Sequence, residues 1–549
     1  MGIPHMVLIH GWIPFSFVIF VILIFSWIYI RYYQDRLQSE LSTTLTSILA
    51  FSVTLITSAL VPIDIFLASY MKNPNGSFKI WATNVTDRSS FEDNISYAYY
   101  GLYSIVILFL FLILPFMYFY FEEQDDNVSC KARFCGAVKY TMIFIIAASV
   151  ILLVGSFVPL KSPPKNVTDW NDKMNYLKDE IKASHGETAL TFTIGFLTFV
   201  GLLSIITYTA FGMSAFPLEL IKGYRSIKDE RYTLDAKREN LQSQITLLTD
   251  KYFGKRRVPS RHRSRLTKLE DEERLLSRRQ SRLEKADDKC CKNCFVLCRP
   301  FHIVFGIISF FLALLIVVSL VITSIDKALH SFGYKYGYSL PDPKFVNPIN
   351  EVMLYAQKVF PLDYLLFFAI VFYFVYCTMV GMRKIGIRFF CIKLYKIKPH
   401  KTMPQALLFF VFILMYVVLA VNVVLMTLAP QYVMYGNQKY QEKVHNVSNT
   451  SSLANTTWSQ NYTFITKDCS TRVSNEHCTM SRISVLLSRF FYKVWFFGVC
   501  DYWGTWMFIV AFLIGLLVSC CKGRKSYIGD IDSSDDDDSD NEFEHRFTT

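Results

Sequence analysis

Nine times along this chain an apolar run of roughly twenty residues appears, bounded by charged or turn-forming residues. A bilayer core of about 30 Å is crossed by roughly 20 helical residues, so each run is long enough to span. The segments are approximately 7–30, 45–70, 99–121, 137–160, 189–216, 301–325, 363–382, 404–430 and 503–521. Lipid offers no partner to a backbone N–H or C=O, which leaves the helix as the conformation for such runs. The sequence therefore predicts an all-α polytopic membrane protein with about nine transmembrane helices. The stretch 483–502 is apolar but broken by Arg489, Lys493 and Asp501, and reads as interfacial. The first run, Val7 to Ile30, exceeds the core of a signal peptide, has no basic residue before it and no small-residue cleavage site, so it reads as a retained span.

Two signals give orientation. The net charge of +12 is concentrated in 222–300 and 383–401, beside apolar spans, as cytosolic loops require; this distribution argues against a nucleic-acid partner. Glycosylation sequons occupy the alternate loops, at Asn75, Asn84, Asn94, Asn166, Asn446, Asn449, Asn455 and Asn461. Asn127 is the one sequon on the cytosolic side, where no glycan is added. The expectation is a lumenal N-terminus and a cytosolic C-terminus. The chain then divides into spans one to five (1–221), a charged cytosolic loop (222–300), spans six to nine with a glycosylated lumenal loop at 431–490 (301–521), and an acidic tail (522–549).

Cysteines follow the same partition. Cys469 and Cys478 share a sequon-bearing loop and are the natural disulfide pair; Cys520 and Cys521 end the last span beside Lys522 and read as a palmitoylation site or as unmodified thiols. Cys290, Cys291, Cys294 and Cys298 lack the second separated ligand pair of a structural zinc site, and no metal is expected. Within 222–300, two charged segments without proline flank "GKRRVPS" and predict an antiparallel helical hairpin between spans five and six. Two sorting patterns lie here: "YRSI", with Tyr224 and Ile227, and "DEERLL", with Asp271, Leu275 and Leu276. Leu275 and Leu276 serve equally as a buried hairpin seam, the reading favoured on the pattern alone. The tail "GDIDSSDDDDSDNEFE" is a like-charge run in which Ser533, Ser534 and Ser539 suit acidophilic kinases.

No P-loop, HExxH, G-x-S-x-G or dinucleotide-binding pattern occurs, so neither nucleotide hydrolysis nor another enzymatic activity is expected. The chemistry that stands out is acidic. Asp64 sits inside "LVPIDIFLASY", where a charge costs about 2.5–3.5 kcal/mol unless it meets a partner or a wet cavity. With Asp326 and His330 after span six and Asp363 in "VFPLDY" before span seven, it forms a candidate polar cluster at the lumenal face. Helix capping suffices for Asp363, and for Asp326 with Lys327 a simple helix stop. Asp64, surrounded by Ile63, Ile65, Phe66 and Leu67, calls for another helix or a cavity.

The strings "LITSALVPIDIFLASYMKNPNGSF", "ITYTAFGMSAFPLELIKG", "DKALHSFG", "RFFCIKLYKIK", "LAPQYVMYG" and "VSCCKGRKS" resemble the limb-region and lipocalin-receptor-like membrane family over nearly the whole chain. The resemblance implies nine spans with a lumenal N-terminus, and residence in the lysosomal membrane with passage through the plasma membrane and clathrin-coated vesicles. It further implies export of cobalamin from the lysosome together with a D-subfamily ABC transporter, and clathrin-adaptor-dependent endocytosis of the insulin receptor. Cobalamin would be cargo; no cofactor is implied. Lipid is the surrounding partner, and a homo-oligomer remains open. Three readings follow: an escort that assembles with the transporter, a chain that conducts cobalamin itself, or an endocytic adaptor.

Overall fold

The computed structural model describes residues 5–35, 40–123, 130–157, 192–223, 227–252, 260–287, 292–338, 340, 343–359, 361–389, 392–445, 462–469, 477–491 and 495–524. Among them, nine helices are long and apolar enough to cross a membrane. They are α1 (His5–Tyr33), α2 (Leu41–Tyr70), α3 (Val85–Glu122), α4 (Cys130–Phe157), α5 (Phe192–Lys222), α8 (Lys292–His330), α10 (Leu362–Ile385), α11 (Pro404–Leu428) and α14 (Trp495–Cys521). Between them lie α6 (Ile227–Tyr252), α7 (Ser260–Asp287), α9 (Pro348–Ala356), α12 (Pro430–Tyr435) and α13 (Arg482–Phe491). Two antiparallel hairpins complete the described chain, β1 (Ile387–Phe389) with β2 (Ile392–Tyr395) and β3 (Lys439–His445) with β4 (Tyr462–Asp468). The expected helical membrane architecture is observed. The interfacial reading of 483–502 is corrected for its second part, because residues from Trp495 onward, Asp501 included, belong to the last long helix.

The chain forms two compact units, one of Met1–Ser214 with Ala313–Gly515 and one of Ala215–Leu312 with Leu516–Thr549. The first is organised around α11, which packs on α2, α3, α10 and the middle of α5. Val411, Leu414, Val417, Val418, Val421 and Leu425 of α11 are fully buried, so the middle of this unit is filled by side chains. The helices approach closely where glycine removes a side chain. A methyl on Gly201 would overlap the Tyr416 carbonyl of α11, and Gly212 of α5 and Gly381 of α10 lie against the carbonyls of Cys377 and Tyr208, each on the opposite helix. Thr209 and Thr378 hydrogen-bond across the same α5–α10 crossing at 2.7 Å. Small residues and an interhelical hydroxyl pair are what hold helices together where both lipid and side chains are apolar. The hydroxyl-rich α2 solves its own polarity locally: Ser47, Thr54 and Thr57 return hydrogen bonds to carbonyls one turn back. In contrast, α4 leaves Ile143, Ile146 and Leu153 more than half exposed, a face that suits lipid.

The second unit contains the hairpin. α6 and α7 run antiparallel, joined by Arg238 to Gln280 at 2.9 Å and Gln242 to Glu273 at 2.7 Å. The helical-hairpin expectation is met, and the leucine seam is met in part: Leu276 is half-buried in step with Leu266 and Leu269 of α7, whereas Leu275 is 45 % exposed. At the base of this unit, cations close two helix ends. Arg299 donates to the Leu220 and Ile221 carbonyls at the end of α5, and Lys222 donates to Ser519, Cys520 and Lys522 carbonyls at the end of α14. Terminal carbonyls have no intrahelical donor and carry the negative end of the macrodipole, so a neighbouring ammonium or guanidinium satisfies both needs.

Candidate functional site

Asp64 is buried, and its partners explain why the second span carries a charge. Its carboxylate accepts the backbone N–H groups of Ile483 at 2.8 Å and Arg482 at 3.3 Å, and the Tyr99 hydroxyl at 3.3 Å. These amides open α13, where Ser481 supplies a further cap to Ser484 N. The first N–H groups of a helix are orphaned and electropositive, so a carboxylate placed on them is stabilised without meeting lipid. Arg482 in turn pairs with Glu92 of α3. Asp64 thus fastens α2, α3 and α13 into one node.

The other predicted acids have separate partners. Asp363, in the first turn of α10, accepts from the Tyr432 hydroxyl at 3.1 Å and from Asn437 at 3.5 Å. Asp326 accepts Lys344 N at 2.9 Å and Phe345 N at 3.4 Å, and contacts His330 Nδ1 at 2.7 Å. α8 runs on past Asp326 to His330, so the helix-stop reading of Asp326 and Lys327 is corrected. None of Asp64, Asp326 and Asp363 shares these partners with another, so each carboxylate fastens its own set of elements.

Cys469 and Cys478 form the expected disulfide, buried with Tyr435 and flanked by Met434, Tyr440 and Met480. Two side chains unforeseen in the sequence support it. Gln438 exchanges hydrogen bonds with Thr479, donating to its carbonyl at 2.7 Å and accepting its N–H at 3.0 Å. Lys72, just beyond α2, donates to the Lys439 carbonyl at 2.8 Å and to the His477 carbonyl, with its Nζ 3.8 Å from Cys469 Sγ. Burial, aided by the nearby Arg88 charge, pushes the Lys72 ammonium down to about 8.

Beside these fasteners lies a cavity of about 400 Å³, bordered by α8, α9, α11, α12, α13, α14 and the connection after α8. Its polar wall is an ion pair the sequence reading passed over: Lys327 Nζ lies 3.4 Å from Asp501 Oδ2 and 3.3 Å from Thr427 Oγ1. Asp501 Oδ1 is buried without a hydrogen-bond partner among the described residues. Next to the pair, Asn347 caps α9 by accepting from Ile349 N and Asn350 N, and donates to Thr323 and the Leu428 carbonyl. Asp501 was legible only as a break in an apolar run; its pairing with Lys327, 174 residues away, has no local signature.

Of the other predicted sites, Asn75, Asn84 and Asn94 are exposed, as are Cys520 and Cys521 and, in the hairpin, Asp271. Asn84 also caps α3, accepting Thr86 N at 3.3 Å. Asn166, Asn446, Asn449, Asn455, Asn461, Tyr224, Ser533, Ser534 and Ser539, and the side chain of Ile227, lie outside the described residues.

Long buried helices, close glycine crossings and charges satisfied by helix ends define a polytopic α-helical membrane protein. The chain belongs to the LMBR1-like membrane protein family, whose model matches residues 11–298. It is 53% identical over 98% of its length to a Nematostella vectensis protein named "Probable lysosomal cobalamin transporter", covering 99% of that protein. It is 46% and 45% identical, over 97% of its length, to proteins of Danio rerio and Gallus gallus named "Lysosomal cobalamin transport escort protein LMBD1", covering 98% of each. No solved structure matches it.

Proposed function

We propose that this chain is a lysosomal membrane protein that escorts a cobalamin transporter, assembling with it rather than carrying the vitamin. The observation behind this reading is the near-full-length likeness to relatives named as transport escorts, joined to a centre of the first unit filled by α11. Conduction by the chain alone, the reading suggested by the name of the Nematostella relative, is less well supported. The cavity of about 400 Å³ is in the range of drug-sized ligands, and a corrinoid with its nucleotide loop is far larger. Since no P-loop is present, energy for export would come from the partner, which we take to be a D-subfamily ABC transporter. The sequon-bearing loops and the disulfide face the lumen in this reading, and the α6–α7 hairpin and acidic tail face the cytosol. Endocytosis of the insulin receptor through a clathrin adaptor is a second role, resting on the exposed Asp271 and Leu275.

Two measurements separate these readings. In cells lacking the chain, the ABC partner should fail to reach lysosomes and should return when the chain is restored. Liposomes containing the purified chain alone should not move cobalamin; if they do, the escort reading falls and the conducting one takes its place.

A further inference from the structure

The cavity beside Lys327 and Asp501 has a chemistry that escorting a transporter does not use. We propose that it binds a small zwitterion of the α-amino-acid class, with the ligand's ammonium on Asp501 and its carboxylate on Lys327.

The argument begins with unused hydrogen-bonding capacity. Asp501 engages Lys327 and Thr427 through Oδ2 alone, while Oδ1 is buried and unpartnered among the described residues. A buried carboxylate oxygen without a donor loses its hydration for nothing, so the site is incomplete until a donor arrives. Lys327 carries three N–H donors, and the described contacts to Thr427 and Asp501 use two of them. One missing donor and one missing acceptor therefore lie on the two members of a single ion pair.

Charge balance narrows the ligand. Lys344 and Glu351 also line the cavity, giving two cations and two anions. A dicarboxylate would set one charge against Asp501, and a diamine would set one against Lys327. A zwitterion meets both members with charge-assisted hydrogen bonds, which exceed the neutral hydrogen bonds of an amide or polyol. The lining also includes the apolar Val423, Met426, Met434 and Leu487, which favour an aliphatic side chain on the same molecule. The volume of about 400 Å³ accommodates such a ligand. Asp501 also borders a separate void of about 10 Å³, room for a single water, and a water there is the competing explanation for its open oxygen.

The test uses the full-length chain in lipid nanodiscs with radiolabelled L-leucine as the probe. Saturable binding is expected, competed by unlabelled L-leucine and L-methionine. Leucinol, which lacks the carboxylate, and 4-methylpentanoate, which lacks the ammonium, should compete at least about tenfold more weakly. Lys327→Met and Asp501→Asn should each weaken binding by about tenfold or more. Val346→Trp, at a 68 % exposed lining residue, should block the cavity while leaving thermal unfolding unchanged, and serves where the other two variants fail to fold. The proposal is overturned if no saturable binding appears up to about 10 mM. Equal competition by leucinol or 4-methylpentanoate also overturns it, as does retention of wild-type affinity by every variant that folds. Because binding is read on the isolated chain, none of these outcomes bears on whether it escorts a transporter.

Discussion

The Asp64 carboxylate of α2 accepts the backbone N–H of Ile483 at 2.8 Å, joining the second span to a short helix 419 residues later. Arg482 N and the Tyr99 hydroxyl complete its contacts, so one side chain satisfies donors from two other elements. A charge that is costly in isolation becomes a fastener when its partners are helix-terminal amides.

Replacing Asp64 with alanine would leave those donors buried and unpaired, and should destabilise the protein by about 3 kcal/mol. Asp64→Asn retains one acceptor oxygen and should lose roughly half as much. Thermal unfolding of the detergent-purified variants measures the ranking, and hydrogen exchange should rise first in the amides of Arg482 and Ile483. Equal stability of wild type and D64A would refute the capping role.

Lys72 makes a prediction about pH. Its folded-state value, about 8, lies below the ordinary 10.5, so the unfolded chain binds more protons than the folded one between these values. The contribution of Lys72 to stability should therefore rise with pH across that window and be smallest below about 8. Comparing wild type with Lys72→Met from pH 7 to 9.5 isolates the effect. The wild type should gain melting temperature relative to the variant as pH increases; a wild type that loses ground to the variant over that range would contradict the sign.

Much of this architecture is legible in the sequence because membrane burial writes itself in length: runs near twenty residues can hardly be anything but spans. The disulfide was legible for a similar reason, two cysteines sharing one sequon-bearing loop. What stayed hidden was pairing at a distance. Asp64 stood out because it is costly, but nothing near it names Ile483, and Lys327 gives no local sign of Asp501. At 483–502 Asp501 looks like an interruption in the sequence, but its partners let α14 extend past it. Leu275 misled in the opposite direction, since a hairpin this rich in charge is held partly by Arg238–Gln280 and Gln242–Glu273 contacts that a search for apolar seams ignores.

The sequon loops offer a test of sidedness that distinguishes glycan from fold. Asn84→Gln should remove one glycan step on a gel and also the α3 cap, at about 1 kcal/mol. Thr86→Ala should remove the same glycan while leaving Asn84 Oδ1 available to Thr86 N. Asn75→Gln and Asn94→Gln should each remove one further step. A full set of mobilities unchanged from wild type would reverse the proposed orientation of these loops.

Gly381 and Gly212, like Gly201, should be among the least replaceable small residues in the bundle. Each faces a carbonyl of the opposite helix, so a methyl on either meets backbone, which cannot rotate away as a side chain can. The 2.7 Å Thr209–Thr378 bond lies at the same crossing and would lengthen with any separation of α5 from α10. Overpacking typically costs about 1–3 kcal/mol, and loss of an interhelical hydroxyl bond in a membrane adds about 0.6. Gly381→Ala and Gly212→Ala should therefore lower the melting temperature and the monodisperse fraction on size exclusion, whereas Gly101→Ala, where nothing lies within 4 Å, should behave as wild type. Because the two glycines serve one contact, the double variant should cost less than the sum of the singles. Strict additivity would mean that the two helices do not yield together, and that the crossing is not the shared contact inferred from its geometry.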